Sequence, residues 1–381
     1  MKFKLSILIL FSALLGSPIF ADEISLRDKI GQMLIVGFEG KTVDSNSPIV
    51  KAIERYNLGG VILFDYNYKT QAFDKNIESP AQVKKLNSDL QAFTKTANQK
   101  QKRPQLPLII SVDYEGGYVD RLKETYGFPQ TFPAADIGQM NEIQANQAAE
   151  TMADILQKAG FNLDFAPILD VNVNPQNPII GQLNRSFSAD PAQVSYYANI
   201  MGDNFLTKGV QCAYKHFPGH GSSTADSHLG FVDVTQTWQA YELSPYRDLL
   251  NRGSACGMIM TAHIVNRQLD ESGLPATLSY KILTGILRKQ LQFNGVIITD
   301  DMQMKAVSEH YRLEDSLPLA INAGVDMFIF GNQITNRAQD PKQVIDIIES
   351  KVKSGEIKES RIDEAYAHIV KFKQSLIQKD K

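Results

Sequence analysis

The chain has 381 residues, 43% of them hydrophobic and 21% charged, with 39 Lys plus Arg against 42 Asp plus Glu and a formal net charge of −3. This composition excludes disordered and collagen-like chains, and the near-even charge balance leaves no basic footprint for nucleic acid. Two cysteines, Cys212 and Cys256, cannot build a disulfide framework; their separation reads first as two buried thiols, with a single bridge as the alternative.

Lys2 and Lys4 precede an apolar run over 5–15, followed by Gly16, Ser17 and Pro18, with Ala21 before Asp22. A charged start, a short apolar stretch and a small residue form the pattern of an export signal. Residues 1–21 are therefore expected to be removed and the mature protein exported, either periplasmic or secreted. No Cys follows the run, which argues against a lipid anchor there. No later segment reaches 18 uninterrupted apolar residues, so no membrane span is expected once the signal is gone.

Short apolar, β-branched runs recur at 32–37, 60–64, 108–113, 163–169, 210–216, 257–263, 295–300 and 325–331. Each is too short for a helix and reads as a strand. Amphipathic segments lie between them. Residues 80–100 carry Val83, Leu86, Leu90 and Phe93 at helical spacing, and 142–159 run from Asn141 to Gly160. Asp190-Pro191 opens the next helix as a capping Asp with Pro at the first position, and Gly209 closes it. Segments 279–291, 317–323, 341–352 and 360–377 continue the alternation. Strand and helix alternating eight times predict parallel strands with right-handed crossovers, closing as a single-domain (β/α)8 barrel over 22–381. An open doubly wound sheet is the alternative. It would carry a Gly-rich phosphate turn after its first strand, and Gly37-Phe38-Glu39-Gly40 does not fit that pattern.

The C-terminal strand ends form the mouth of such a barrel. They carry Asp113, Asp170, Lys215 and His216, His263, and Asp300 and Asp301, on five separate strands. Three of the six histidines, His216, His220 and His228, fall within thirteen residues. A zinc site is the first reading of such a cluster, but Pro218-Gly219 keeps His216 and His220 off one helix face and the Glu of a zinc-protease motif is absent. No metal and no organic cofactor are expected. The segment reads better as a loop presenting an imidazole, with Asp226 two residues away to orient it for acid–base work. Gly-x-Ser-x-Gly is absent, and neither Cys has a base beside it. Asp300-Asp301 ends a buried strand, and strand alternation predicts that only one of the two faces the barrel axis. An Asp held at a barrel mouth suits attack on a sugar anomeric carbon.

The run Val112-Asp113-Tyr114-Glu115-Gly116-Gly117-Tyr118-Val119-Asp120-Arg121, then Asn184-Arg185-Ser186, Lys215-His216-Phe217-Pro218-Gly219-His220-Gly221 with Asp226-Ser227-His228, and Ile298-Thr299-Asp300-Asp301-Met302 occur in this order. In this order they resemble glycoside hydrolase family 3, and most closely its bacterial β-N-acetylhexosaminidase branch. The resemblance covers essentially the whole mature chain and implies a (β/α)8 barrel. It implies Asp300 as the nucleophile of a covalent glycosyl-enzyme, His228 as the general acid/base and Asp226 as its partner. It also implies that Asp113, Arg121, Arg185, Lys215 and His216 hydrogen-bond the sugar.

By that resemblance the chain is expected to be a retaining exo-β-N-acetylhexosaminidase. Its substrates would be peptidoglycan fragments or related amino-sugar oligosaccharides, and monomer is the default state. A β-glucosidase or an N-acetylglucosaminide phosphorylase of the same family, or a carbohydrate-binding protein without activity, are the alternatives. The family commonly has Gln at the position of Tyr114 and Arg at that of Tyr118, a departure expected to bear on the outer subsites. Family relatives from Gram-negative bacteria act in the cytoplasm, whereas this chain carries the pattern of an exported one.

Overall fold

A computed structural model describes residues 24–253, 256–335 and 337–377; the expected export signal lies outside them. Eight strands form the centre: β1 (Leu34–Gly37), β2 (Gly60–Ile62), β3 (Ile109–Val112), β4 (Leu163–Asp164), β5 (Gln211–Phe217), β6 (Met258–Thr261), β7 (Val296–Asp301) and β8 (Met327–Phe330). Each pairs in parallel with its neighbours in chain order. β8 then closes on β1 through Leu34 with Phe328, Ile35 with Ile329 and Val36 with Phe330. That closure makes the sheet a barrel and removes the open-sheet alternative.

Helices outside and side chains inside cover both faces of every strand. This is why β1, β3, β6 and β8 are buried along their whole length and read as continuous apolar runs rather than alternating ones. The helices begin and end where local chemistry directs. Asn141 accepts from the Gln144 N–H while the Gln144 side chain returns to the Asn141 backbone, opening helix Glu142–Ala159, and Gly160 ends it at φ 82°. Asp190 caps helix Pro191–Thr207 by accepting from the Ala192 N–H, with Pro191 in the first turn.

The first helix, Leu26–Gln32, joins the last two helices through Arg27 to Asp346 (2.8 Å) and Glu349 (2.5 Å), and Lys29 to Asp363 (2.7 Å). Asp326, at the start of β8, gathers Arg288, Arg361 and His368 beneath the barrel. No helix among the described residues is long and apolar enough to cross a membrane.

One expectation is corrected here. Cys212 and Cys256 form a disulfide, with their Cα atoms 4.7 Å apart. They stand 44 residues apart in sequence, but one lies near the start of β5 and the other just before β6, and parallel neighbours bring those starts side by side.

Candidate active site

Asp300 stands next to the last residue of β7, and three imidazoles face it, two from the ends of other strands and one from a loop. Burial alone would raise its carboxyl, but His216, His263 and His228 hold it down to about 2, so it is a carboxylate at any ordinary pH. Its neighbour takes the opposite state. Asp301 is pushed up by burial to about 7, against the backbone N–H groups of Gln303 and Gly331 that it accepts. Both residues line one cavity with Phe64, Asp113, Arg121 and His228. The pairing of β7 with β8 runs Met327 to Ile298 and then Ile329 to Asp301, so an extra residue of β7 bulges at this end.

His228 reaches the mouth from the loop after β5. Asp226 Oδ1 accepts both its backbone N–H (2.8 Å) and Nδ1 (2.7 Å). Burial lowers the imidazole, but the Asp226 bond and the Asp300 charge outweigh it and raise the group above its ordinary value. Asp226 itself, despite burial, is held below its usual range by the same bond.

The remaining expected groups form a buried charge network on β3–β5. Lys215 Nζ lies 3.0 Å from Asp113 Oδ1 and 2.7 Å from Glu115 Oε1. The Arg185 fork grips Glu115 with Nε and Nη2, both at 2.8 Å, and Nη1 donates to the Ile179 carbonyl at 2.7 Å. Burial would raise Glu115, yet these two cations keep it well below the carboxylate range. His216 Nδ1 meets Asp170 Oδ2 at 2.6 Å. Arg121 lines the cavity with Nη2 4.0 Å from Asp113 Oδ2 and its guanidinium 5.9 Å from the centre of the Phe64 ring. Each of these side chains keeps polar atoms outside these bonds: Arg185 uses three of five N–H groups in them, Lys215 two of three, and His216 one of its two ring nitrogens.

The structure thus brings Asp300, His228, Asp113 and Arg121 to one cavity wall, with Asp226 behind His228. Lys215, Arg185 and His216 stand next to them, each oriented by a buried carboxylate. Glu115, Asp170, His263 and Asp301 had no assigned role in the sequence reading. Asp170, His263 and Asp301 were visible there as polar strand ends. Glu115 sits within a quoted motif, but nothing local announces its Arg185 partner seventy residues on. Of the two departures, Tyr114 is wholly buried and cannot line an outer subsite, whereas Tyr118 is 68% exposed. Tyr118 tips the ribbon Tyr114–Gly116 with Val119–Asp120. Gly116 is required there, at φ 88°, because a Cβ would come within 2.1 Å of the Phe132 carbonyl. Among the described residues no three His, Cys, Asp or Glu side chains group as a metal site.

A closed parallel barrel whose mouth sets an ionised Asp beside a His–Asp pair has the construction of a glycoside hydrolase. Residues 25–372 match the model of the glycosyl hydrolase family 3 N terminal domain, and the chain belongs to that family. It is 32% identical to beta-hexosaminidase A of Pseudoalteromonas piscicida, over 92% of this chain and 61% of that protein. It is 35% identical to the beta-hexosaminidase of Tolumonas auensis, over 74% of this chain and 77% of the other. Its fold superposes on a family 3 beta-N-acetylglucosaminidase from Paenibacillus sp. str. FPU-7 with a TM-score of 0.81 at 31% identity, covering 93% of this chain and 63% of that one. The chain therefore spans about three fifths of the first and third of these relatives.

Proposed function

We propose that this protein is a retaining exo-β-N-acetylhexosaminidase that removes terminal β-linked N-acetylglucosamine from peptidoglycan fragments or related amino-sugar oligosaccharides. The observation that carries the reading is the ionised Asp300 in the same cavity as the Asp226-bound His228. Relatives named beta-hexosaminidase support the sugar class.

In the first step an Asp300 carboxylate oxygen bonds to the anomeric carbon as the glycosidic C–O bond breaks, and His228 Nε2 gives its proton to the departing oxygen. In the second, His228 takes a proton from water, the water oxygen bonds to the anomeric carbon, and the Asp300 ester bond breaks. Two inversions return the sugar with its configuration retained. Asp113, Arg121, Arg185, Lys215 and His216 hold the ring hydroxyls through their free donors and acceptors. Charged groups fixed in advance give directional bonds without reorganisation during the reaction. An exported location fits the apolar start of the sequence and the disulfide, since such bonds persist in oxidising compartments.

The test is turnover of aryl N-acetyl-β-D-glucosaminide and aryl β-D-glucoside, each with and without phosphate, by wild type and Asp300→Asn. Preference for the N-acetyl substrate, independence of phosphate and a loss of at least about 10³-fold in Asp300→Asn are expected. Activity on the glucoside alone, or full activity in the variant, would overturn the reading.

A further inference from the structure

The segment that carries His228 is almost entirely surface. Of residues 224–231, Ser227 alone is buried, and a Cβ added at Gly230 would meet nothing within 4 Å. At the outer tip the Phe231 ring stands edge-on to His310, 5.6 Å between centres. The inner half is held at Ser227. Its Oγ lies 3.2 Å from Nε2 of His220, its carbonyl accepts from the Ala306 N–H at 3.2 Å, and the His228 carbonyl accepts from the Lys305 N–H at 3.4 Å.

His220 belongs to the fixed part of the loop. Its ring is 2% exposed. Its backbone N–H donates to Asp170 Oδ1 at 2.7 Å, and its carbonyl accepts from Asn177 Nδ2 at 2.8 Å. The second oxygen of Asp170 takes Nδ1 of His216. One buried carboxylate therefore fixes both the imidazole at the end of β5 and the ring that anchors the next active segment. Burial pushes the His220 imidazole down to about 4, so its contact with Ser227 is a bond between neutral groups at working pH. Neither His220 nor Ser227 lines the cavity.

We propose that Ser227 is a positioning residue for the acid/base imidazole: its hydroxyl, held by His220, pins the buried point of an exposed segment from which His228 reaches the glycosidic oxygen. This rests on the role given to His228 above. Without the pin, His228 samples a wider arc and Nε2 is within reach of the departing oxygen less often. Misplacement by an ångström costs up to about 10²-fold. A purely structural loss would lower every substrate alike. Loss of proton donation is felt only where the leaving group needs a proton.

The experiment compares kcat/KM of Ser227→Ala, Ser227→Thr and His228→Ala on 2,4-dinitrophenyl and phenyl N-acetyl-β-D-glucosaminides, with the thermal unfolding of each. Dinitrophenolate departs unaided; phenolate needs the proton. Ser227→Ala is expected to lose about tenfold or more on the phenyl substrate and less than about threefold on the other, with Ser227→Thr recovering most of the difference. Equal losses on both substrates at an unchanged unfolding temperature, or no loss, would overturn the proposal. Should Ser227→Ala unfold early, His220→Gln is read by the same comparison. His228→Ala separates the two claims. If it shows no dependence on the leaving group, the acid/base assignment itself falls. If it shows one that Ser227→Ala lacks, only the positioning role does.

Discussion

Asp226 Oδ1 accepts two hydrogen bonds from a single residue, the backbone N–H and the Nδ1 of His228. The second places a proton on Nδ1 and leaves Nε2 to carry the one that moves. Burial lowers this imidazole, but Asp226 and Asp300 raise it above its ordinary value, so the acid stays protonated further into the alkaline range. Asp300, held to about 2, is ionised throughout. Asp226→Asn is therefore expected to move the alkaline limb of kcat/KM to lower pH and to reduce the plateau by about 10²-fold or more. A limb that stays in place in the measured pH profile would separate Asp226 from the titration.

Glu115 is the shared anion of Arg185 and Lys215. Removing its charge leaves two buried cations with Asp113 as the remaining carboxylate on Lys215. Breaking a buried pair from one side costs about 3–5 kcal/mol. Glu115→Gln should show that loss in urea unfolding, together with weaker substrate binding as the Arg185 fork drifts. An unchanged unfolding midpoint would mean that the network is not holding the barrel mouth.

The disulfide closes a loop of 44 residues. Chain-entropy arguments give about 4 kcal/mol for a loop of that length. Replacing both Cys212 and Cys256 by Ser should lower the denaturant midpoint by a corresponding amount, and adding reductant to the double variant should change nothing further. A midpoint equal to that of the oxidised wild type would count against the bond.

Glu242 is buried behind the His220 loop, where burial lifts it to about 7, against the N–H groups of Gln239 and Ser222. The folded protein therefore keeps a proton that the unfolded chain releases between about 4.5 and 7. Stability must fall as pH rises through that window. Glu242→Gln, which mimics the neutral acid, is expected to flatten the dependence of Tm on pH between about 5 and 8. A slope identical to wild type would exclude Glu242 as its source.

The eight strands were legible because burial on both faces writes each as an unbroken apolar run. Their lengths were less so. The run at 163–169 stops pairing continuously at Asp164, where Pro167 follows without an N–H to give, and resumes only as a bridge from Ile168 to Lys215. Asp300, His228 and Asp226 stood out as polar residues at strand ends and in one loop. The bulge beside Asp301 was hidden, because it is set by the partner strand and leaves no mark in the local pattern. The Cys212–Cys256 bond and the grip of Arg185 on Glu115 were hidden for a related reason. Both join residues that only the pairing of adjacent strands makes neighbours.

The two half-cystines bracket the whole stretch that bears Lys215, His216, His220 and His228, and they lie at the opposite end of the barrel from the exposed residues 224–231. A protease that cuts this stretch severs the chain without dividing the molecule. The nicked protein would run as one band on a denaturing gel until a thiol is added, and then as two. This exposed part of the catalytic face is thus also a place where damage leaves no free fragment.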